Sequence, residues 1–236
     1  MDTRKIARLV NEATSLGRAV LVEPEAKEML RLASIEVPKL EVVKDVSAAV
    51  EAAERIGYPV VLKIVSPDLA HKSDIGGVAV GIKDAAGIED SWSEMILTVA
   101  DEKPMAMIEG FLVEKMVPPG AEVIVGVIKD EQFGPVVMFG TGGVAVELMG
   151  DVSWRLAPLT KDDAFRMMQE VKGFPLLVGY RGAPRVDLAA IAEVIVKLAE
   201  MVDGVEGLKE IEINPLIVYR EGAVAVDARG VVGVDK

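Results

Sequence analysis

Lys63 sits inside the apolar run Val60-Val61-Leu62-Lys63-Ile64, where an ammonium is costly to bury unless it meets an anion. It reads either as a phosphate contact or as a lysine blunting an edge strand. Two glycine clusters, Gly76-Gly77 and Gly140-Thr141-Gly142-Gly143, could let backbone N–H groups cup phosphate oxygens. Neither matches a Walker A loop or the GxGxxG fingerprint, so taken singly tight turns between strands explain them better. The densest constellation is Glu210-Ile211-Glu212-Ile213-Asn214-Pro215-Leu216 followed by Val224-Ala225-Val226-Asp227. Strand alternation puts Glu210, Glu212 and Asn214 on one face and the two isoleucines on the other. A turn at Arg220-Glu221 makes facing residue numbers sum to about 441, which sets Asn214 opposite Asp227, with Pro215 a place where register could shift. Carboxylate and amide oxygens suit a hard cation such as Mg²⁺, which keeps water and phosphate in its shell. His71, the one histidine, lies in the polar stretch Pro67-Asp68-Leu69-Ala70-His71-Lys72-Ser73-Asp74, with no apolar face to pack against. A neutral imidazole there could carry a phosphoryl group covalently.

These residues need elements to position them. Ile6, Leu9, Val10, Ala13 and Leu16 recur at helical spacing and predict a helix over residues 3–16, followed by one from Pro24 to Ala33. Next come a strand Leu40 to Val43, a helix capped by Asp45 and ending at Ile56, and a strand Val60 to Ile64. Residues 65–77 have no period and predict a glycine-bounded loop that could move, about a dozen residues long and so more often functional or disordered than idle. A strand Val78 to Ile82 and a helix Ile88 to Ala100 follow, and Lys103-Pro104 breaks the pattern as a lobe boundary. Later strands are expected at Phe111 to Met116, Val123 to Lys129, Pro135 to Phe139, Glu210 to Asn214, Leu216 to Tyr219 and Ala223 to Val226. Helices are expected at Lys161 to Val171 and Asp187 to Val202.

The 236 residues, 51% of them hydrophobic and 27% charged, allow one large domain or two lobes with a real core. A net charge of −12 repels phosphate backbones and anionic membranes, so nucleic acid and membrane surfaces are poor partners. The lack of cysteine excludes disulfides, thiolate metal sites and a cysteine nucleophile. The charged start and the absence of a long apolar run predict a cytoplasmic protein.

In their order, the segments Lys63-Ile64-Val65-Ser66-Pro67 through His71-Lys72 to Gly76-Gly77, Phe139-Gly140-Thr141-Gly142-Gly143 and Glu212-Ile213-Asn214-Pro215-Leu216 resemble an ATP-grasp domain. The resemblance is to the beta subunits of ADP-forming acetyl-CoA synthetases, in the succinyl-CoA synthetase superfamily. It implies an α+β fold of two α/β lobes with a nucleotide cleft between them, the second lobe rich in antiparallel strands. The lobes are expected as an N-terminal helix over 1–22, a small lobe over 23–110 and a large lobe over 111–236. The resemblance further implies that ATP or ADP and Mg²⁺ are bound. Lys63 and Lys27 would contact phosphates, Glu114 and the backbone of Lys115 and Val117 would read the adenine, and Glu122 would meet the ribose. Asn214 and Asp227 would be the Mg²⁺ ligands, with Glu212 joining through water or a second ion, and Arg155 would touch phosphate.

The resemblance also implies a CoA-binding alpha subunit, carrying its own phosphohistidine, in an alpha2beta2 complex. That partner would take its phosphoryl group from acyl-CoA and phosphate, and His71 would relay it to Mg·ADP. Two other readings stay open: a self-contained carboxylate–amine ligase of the same fold, and a non-catalytic nucleotide-binding regulatory subunit.

Overall fold

A computed structural model describes residues 1–69, 72–142, 150–182 and 184–233. The chain opens with α1 (Thr3–Ser15), the short strand β1 (Val20–Leu21) and α2 (Glu23–Leu32). Residues 38–118 then form one compact unit, and residues 1–37 join 119–236 in the other.

The smaller unit holds β2 (Leu40–Val43), α3 (Val46–Ile56), β3 (Val60–Val65), β4 (Val78–Ile82), α4 (Ala85–Glu102) and β5 (Gly110–Lys115). Its helices start at aspartates whose carboxylates accept orphan backbone donors: Asp45 from Ala48 N at 2.8 Å and Asp84 from Gly87 N at 2.9 Å. The strands form an antiparallel sheet in the order β2-β5-β3-β4. Val60, Leu62, Ile64, Phe111 and Val113 face a core shared with Ala49, Ala52, Ile88, Met95 and Val99 of the two helices.

The larger unit continues through β6 (Ala121–Asp130), β7 (Gly134–Thr141), β8 (Val152–Leu156), α5 (Lys161–Glu170), α6 (Phe174–Leu177), α7 (Leu188–Gly204), β9 (Leu208–Val218), β10 (Ala223–Ala225) and β11 (Ala228–Val232). Its sheet runs β1-β11-β9-β6-β7-β8, with β10 also on β9. Val123, Val125, Val127, Val137, Phe139, Ile211 and Ile213 line one face and pack with α1, α2, α5 and α7 in a single core. The other face of these strands carries the alternate residues.

The expected lobe boundaries move. β5 is paired on both sides, to β2 and to β3, so the unit cannot end at residue 110 or at Lys103-Pro104. The first two helices belong with the C-terminal half, because Ile6, Val10, Ala13, Met29 and Leu30 share its core and β1 closes onto β11. Three strands were not expected: β1 has two residues, β8 was read for its arginine rather than its alternation, and Gly230 interrupts the pattern of β11. The two strands expected on either side of Pro215 are one continuous β9.

Candidate functional site

Lys63 stands on β3, an interior strand, so it guards no edge. It is 4% exposed and Glu114 is 1% exposed. Lys63 faces Leu112 and Glu114 faces Val61, which makes the two charges diagonal neighbours on the sheet face away from the helices. The ammonium lies 3.2 Å from Glu114 Oε1. Sequence reasoning took each residue separately; the signal for the pair is that VVLKIV and FLVEK each carry a charge inside an apolar run and that the strands are neighbours.

Lys115 is committed to structure. Its ammonium donates to the carbonyls of Gly57 and Tyr58 at 2.7 and 3.0 Å, and its N–H donates to Lys39 O at 2.8 Å. An adenine could therefore be read at Lys115 only through its carbonyl. Val117 is half-buried just beyond β5.

The Gly76-Gly77 pair closes a turn. Gly77 N–H donates to Lys72 O at 2.6 Å, its carbonyl accepts from Ile64 N at 2.9 Å, and a Cβ at Gly77 would stand 2.8 Å from Lys72 O. His71 and Ala70 lie outside the described residues, as does Gly143. In the second cluster, a Cβ on Gly142 would lie 2.6 Å from Glu122 Cβ, and Gly142 N–H donates to Glu122 O at 2.7 Å. Close backbone approach explains this glycine without a ligand.

The turn-set register at the C-terminal hairpin holds. Ala223 faces Val218 and Ala225 faces Leu216 on one side, and Ala228 faces Ile213 and Arg229 faces Glu212 on the other. Asn214 is therefore opposite Asp227, and its N–H donates to Asp227 O at 3.1 Å. Asn214 is exposed and Asp227 half-buried, and Asn214 Nδ2 reaches Glu212 Oε1 at 3.5 Å. Opposite Asn214 and Pro215 the β6–β9 register shifts between Val123 and Val125, an irregularity that bends the strand just where the polar residues sit. Alternation places Glu122 of β6 on this same open face, where it is exposed.

Arg155 and Lys27 do not join this group. Arg155 faces Val137, which puts it on the helix-covered side of the sheet, opposite to Glu212 and Asn214. There its guanidinium grips both carboxylate oxygens of Glu170 from α5, which raises the arginine's pKa and lowers that of Glu170 through the hydrogen bond each makes to the other. Lys27 is fully buried on α2, paired one turn away with Glu23 Oε1 at 2.7 Å. Both were expected at phosphates. A period-2 reading of β8 would have put Arg155 on the side of the sheet opposite to Trp154 and Leu156.

The donor set on the open face is all oxygen: one amide and the carboxylates of Asp227 and Glu212, which fits a hard cation. Among the described residues no group of three or more His, Cys, Asp or Glu side chains could hold a metal by protein ligands alone. A cation here would thus complete its shell from a ligand or water.

A family model described as an ATP-grasp domain matches residues 12–232. The beta subunit of acetate–CoA ligase [ADP-forming] I from Pyrococcus furiosus is 46% identical over 229 residues, covering 97% of this chain and 99% of that one. Among solved structures, Ca. Korarchaeum cryptofilum dinucleotide-forming acetyl-coenzyme A synthetase 1 in complex with coenzyme A and Ca-AMPCP superposes with a TM-score of 0.93 at 43% identity, covering 96% of this chain and 99% of that one. A second structure of that protein, with Mg-AMPPCP and a phosphohistidine segment pointing towards the nucleotide binding site, gives a TM-score of 0.84 at 39% identity and covers 97% and 100% of the two chains. With its core, sheets and polar face in this arrangement, the chain belongs to the ATP-grasp family, among the beta subunits of ADP-forming acetate–CoA ligases.

Proposed function

We propose that this chain binds Mg·ADP and accepts a phosphoryl group to make ATP, as the nucleotide-binding half of a cytoplasmic acyl-CoA synthetase whose CoA-binding alpha subunit carries a second phosphohistidine in an alpha2beta2 complex. The observation that carries it is the register that seats Asn214 opposite Asp227 on an open face beside Glu212. Lys63 supplies a buried positive charge, oriented by Glu114, for the phosphates. Glu122, an exposed carboxylate, is assigned to a ribose hydroxyl, and the backbone at Lys115 and Val117 to the base. When bound, Mg²⁺ would neutralise phosphate charge. The test is Asp227→Ala: Mg²⁺-dependent ADP affinity, measured by calorimetry, should fall at least tenfold. Unchanged affinity removes Asp227 from the ligand set.

In the final step the N–P bond of a phosphohistidine breaks as a β-phosphate oxygen of ADP forms the new P–O bond, and the ring takes up one proton from water to leave a neutral imidazole. We assign that phosphohistidine to His71, acting as a relay. A second reading is favoured by the Korarchaeum structure whose phosphohistidine segment points towards its nucleotide site: the partner's segment delivers directly. His71→Ala in the assembled complex separates the two. The relay expects net ATP formation to be abolished while the partner still labels from acyl-CoA and radioactive phosphate; near wild-type ATP formation establishes direct delivery.

A further inference from the structure

The two ends of the large sheet are treated differently. At one end β1 is a two-residue strand whose Leu21 is buried, so little bare edge is presented. At the other, β8 runs five residues with Trp154 at 48% and Leu156 at 52% exposure. These two continue into a patch set by register. Trp154 faces Met138, Leu156 faces Val136, and Val136 faces Ile128, itself exposed, with exposed Phe133 at the adjoining turn. Among the described residues β8 is the edge of this sheet, and exposed apolar side chains on an edge strand invite association. The charged residue that alternation could have used as a guard, Arg155, points through the sheet to Glu170.

This patch shares its sheet face with Glu212, Asn214 and Asp227. β8 and β9 are three strand spacings apart, about 14 Å at ~4.8 Å per spacing. A protein seated on Trp154 and Leu156 could therefore reach the polar cluster with a single short segment.

We propose that the β8 edge, centred on Trp154 and Leu156, is the surface on which the CoA-binding subunit docks. The inference rests on the reading that the chain accepts its phosphoryl group from that subunit. The occupant follows from position: whatever covers this edge lies about 14 Å from the acceptor cluster, within reach of a short segment that delivers the phosphoryl group to this chain, directly or through His71, whereas a second copy of this chain would bring another acceptor.

The test uses the full chain and the purified CoA-binding subunit. Changing Trp154→Arg together with Leu156→Arg should weaken subunit affinity about 30-fold or more, as expected for a buried tryptophan anchor, while calorimetric Mg·ADP affinity of the full chain stays within about twofold, since the substituted side chains stand three strands from the polar cluster. Trp154→Ala gives a milder version that keeps the edge uncharged. In a Trp92→Phe background, Trp154 is the sole tryptophan, and its emission should shift to the blue when the subunit is added. Unchanged subunit affinity in both variants overturns the proposal. So does a wild-type chain that sediments as a dimer and becomes monomeric in the double variant, which would make a second copy the occupant. Loss of Mg·ADP binding by the wild-type chain sinks the functional reading separately from subunit affinity.

Discussion

Lys63 and Asn214 each sit mid-sheet in a different unit, and their surroundings are opposite. Around Lys63 every residue of β3 is buried, and the ammonium is already matched to the Glu114 carboxylate. Around Asn214 the strand alternates buried isoleucine with half-buried carboxylate and exposed amide, and the oxygens lie close together. A buried, paired charge is costly to disturb and holds one geometry. An exposed oxygen cluster costs little to keep folded and leaves room for a cation. The small unit thus offers a fixed positive charge, and the large unit an adaptable negative face.

The strongest way to break that contrast is to remove one half of the buried pair. Lys63→Met strands Glu114 in an apolar interior and should cost about 3–5 kcal/mol in urea unfolding. Combining it with Glu114→Leu should restore most of that stability while leaving nucleotide binding lost, which would separate folding from function. A single variant that unfolds like wild type would show that water reaches the pair. On the open face the expectation is milder: Asp227 is half-buried and accepts from Ala228 N at 2.8 Å, so Asp227→Ala should cost about 1 kcal/mol, as for one lost hydrogen bond, and take its main effect in Mg²⁺-dependent ADP affinity.

What was readable in the sequence follows the same division. Period-2 alternation and a two-residue turn determine the β9–β10 register, so Asn214 and Asp227 could be placed opposite one another before any coordinates. The Lys63–Glu114 pair could not, because it depends on β5 joining β3, a pairing between strands 45 or more residues apart in sequence with no local mark. Arg155 shows a third case: its partner Glu170 lies on a helix that only the packing brings beneath the strand. Lys27 and Glu23 repeat this on α2, where i,i+4 spacing was visible but burial was not.

The open cluster is sharpened by asking what holds its hairpin. Asp187 caps α7 by accepting from Ala190 N at 3.0 Å, and it also accepts from Gly222 N at 2.9 Å in the β9–β10 turn. These bonds, the one from Gly222 foremost, hold its carboxyl below the usual carboxylate range. A depressed folded value means that the stabilisation is complete above the unfolded pKa and lost as pH falls through the folded one. Asp187→Ala should cost about 1–2 kcal/mol at pH 7, as for a lost N-cap, and the gap from wild type should narrow below about pH 4. Thermal midpoints across that range check it; a gap independent of pH would mean that the ionised carboxylate is not what holds the turn.

The smallest effect is expected at the other ion pair, and it tests the contrast from its weak side. Arg155 and Glu170 make a two-pronged bond, yet their side chains are 32% and 49% exposed. Solvent screens such a pair, and exposed ion pairs contribute about 0–1 kcal/mol. The guanidinium also lies on the helix side of the sheet, away from Glu212 and Asn214. Arg155→Gln should therefore lower stability by less than about 1 kcal/mol, an effect that shrinks further in 1 M salt, where the screening length is about 3 Å. Mg·ADP affinity and ATP formation in the assembled complex should both be unchanged. If ATP formation instead falls sharply at unchanged stability, Arg155 must leave Glu170 during turnover, and charge would be shared across the sheet rather than divided between a fixed lysine and an open acidic face.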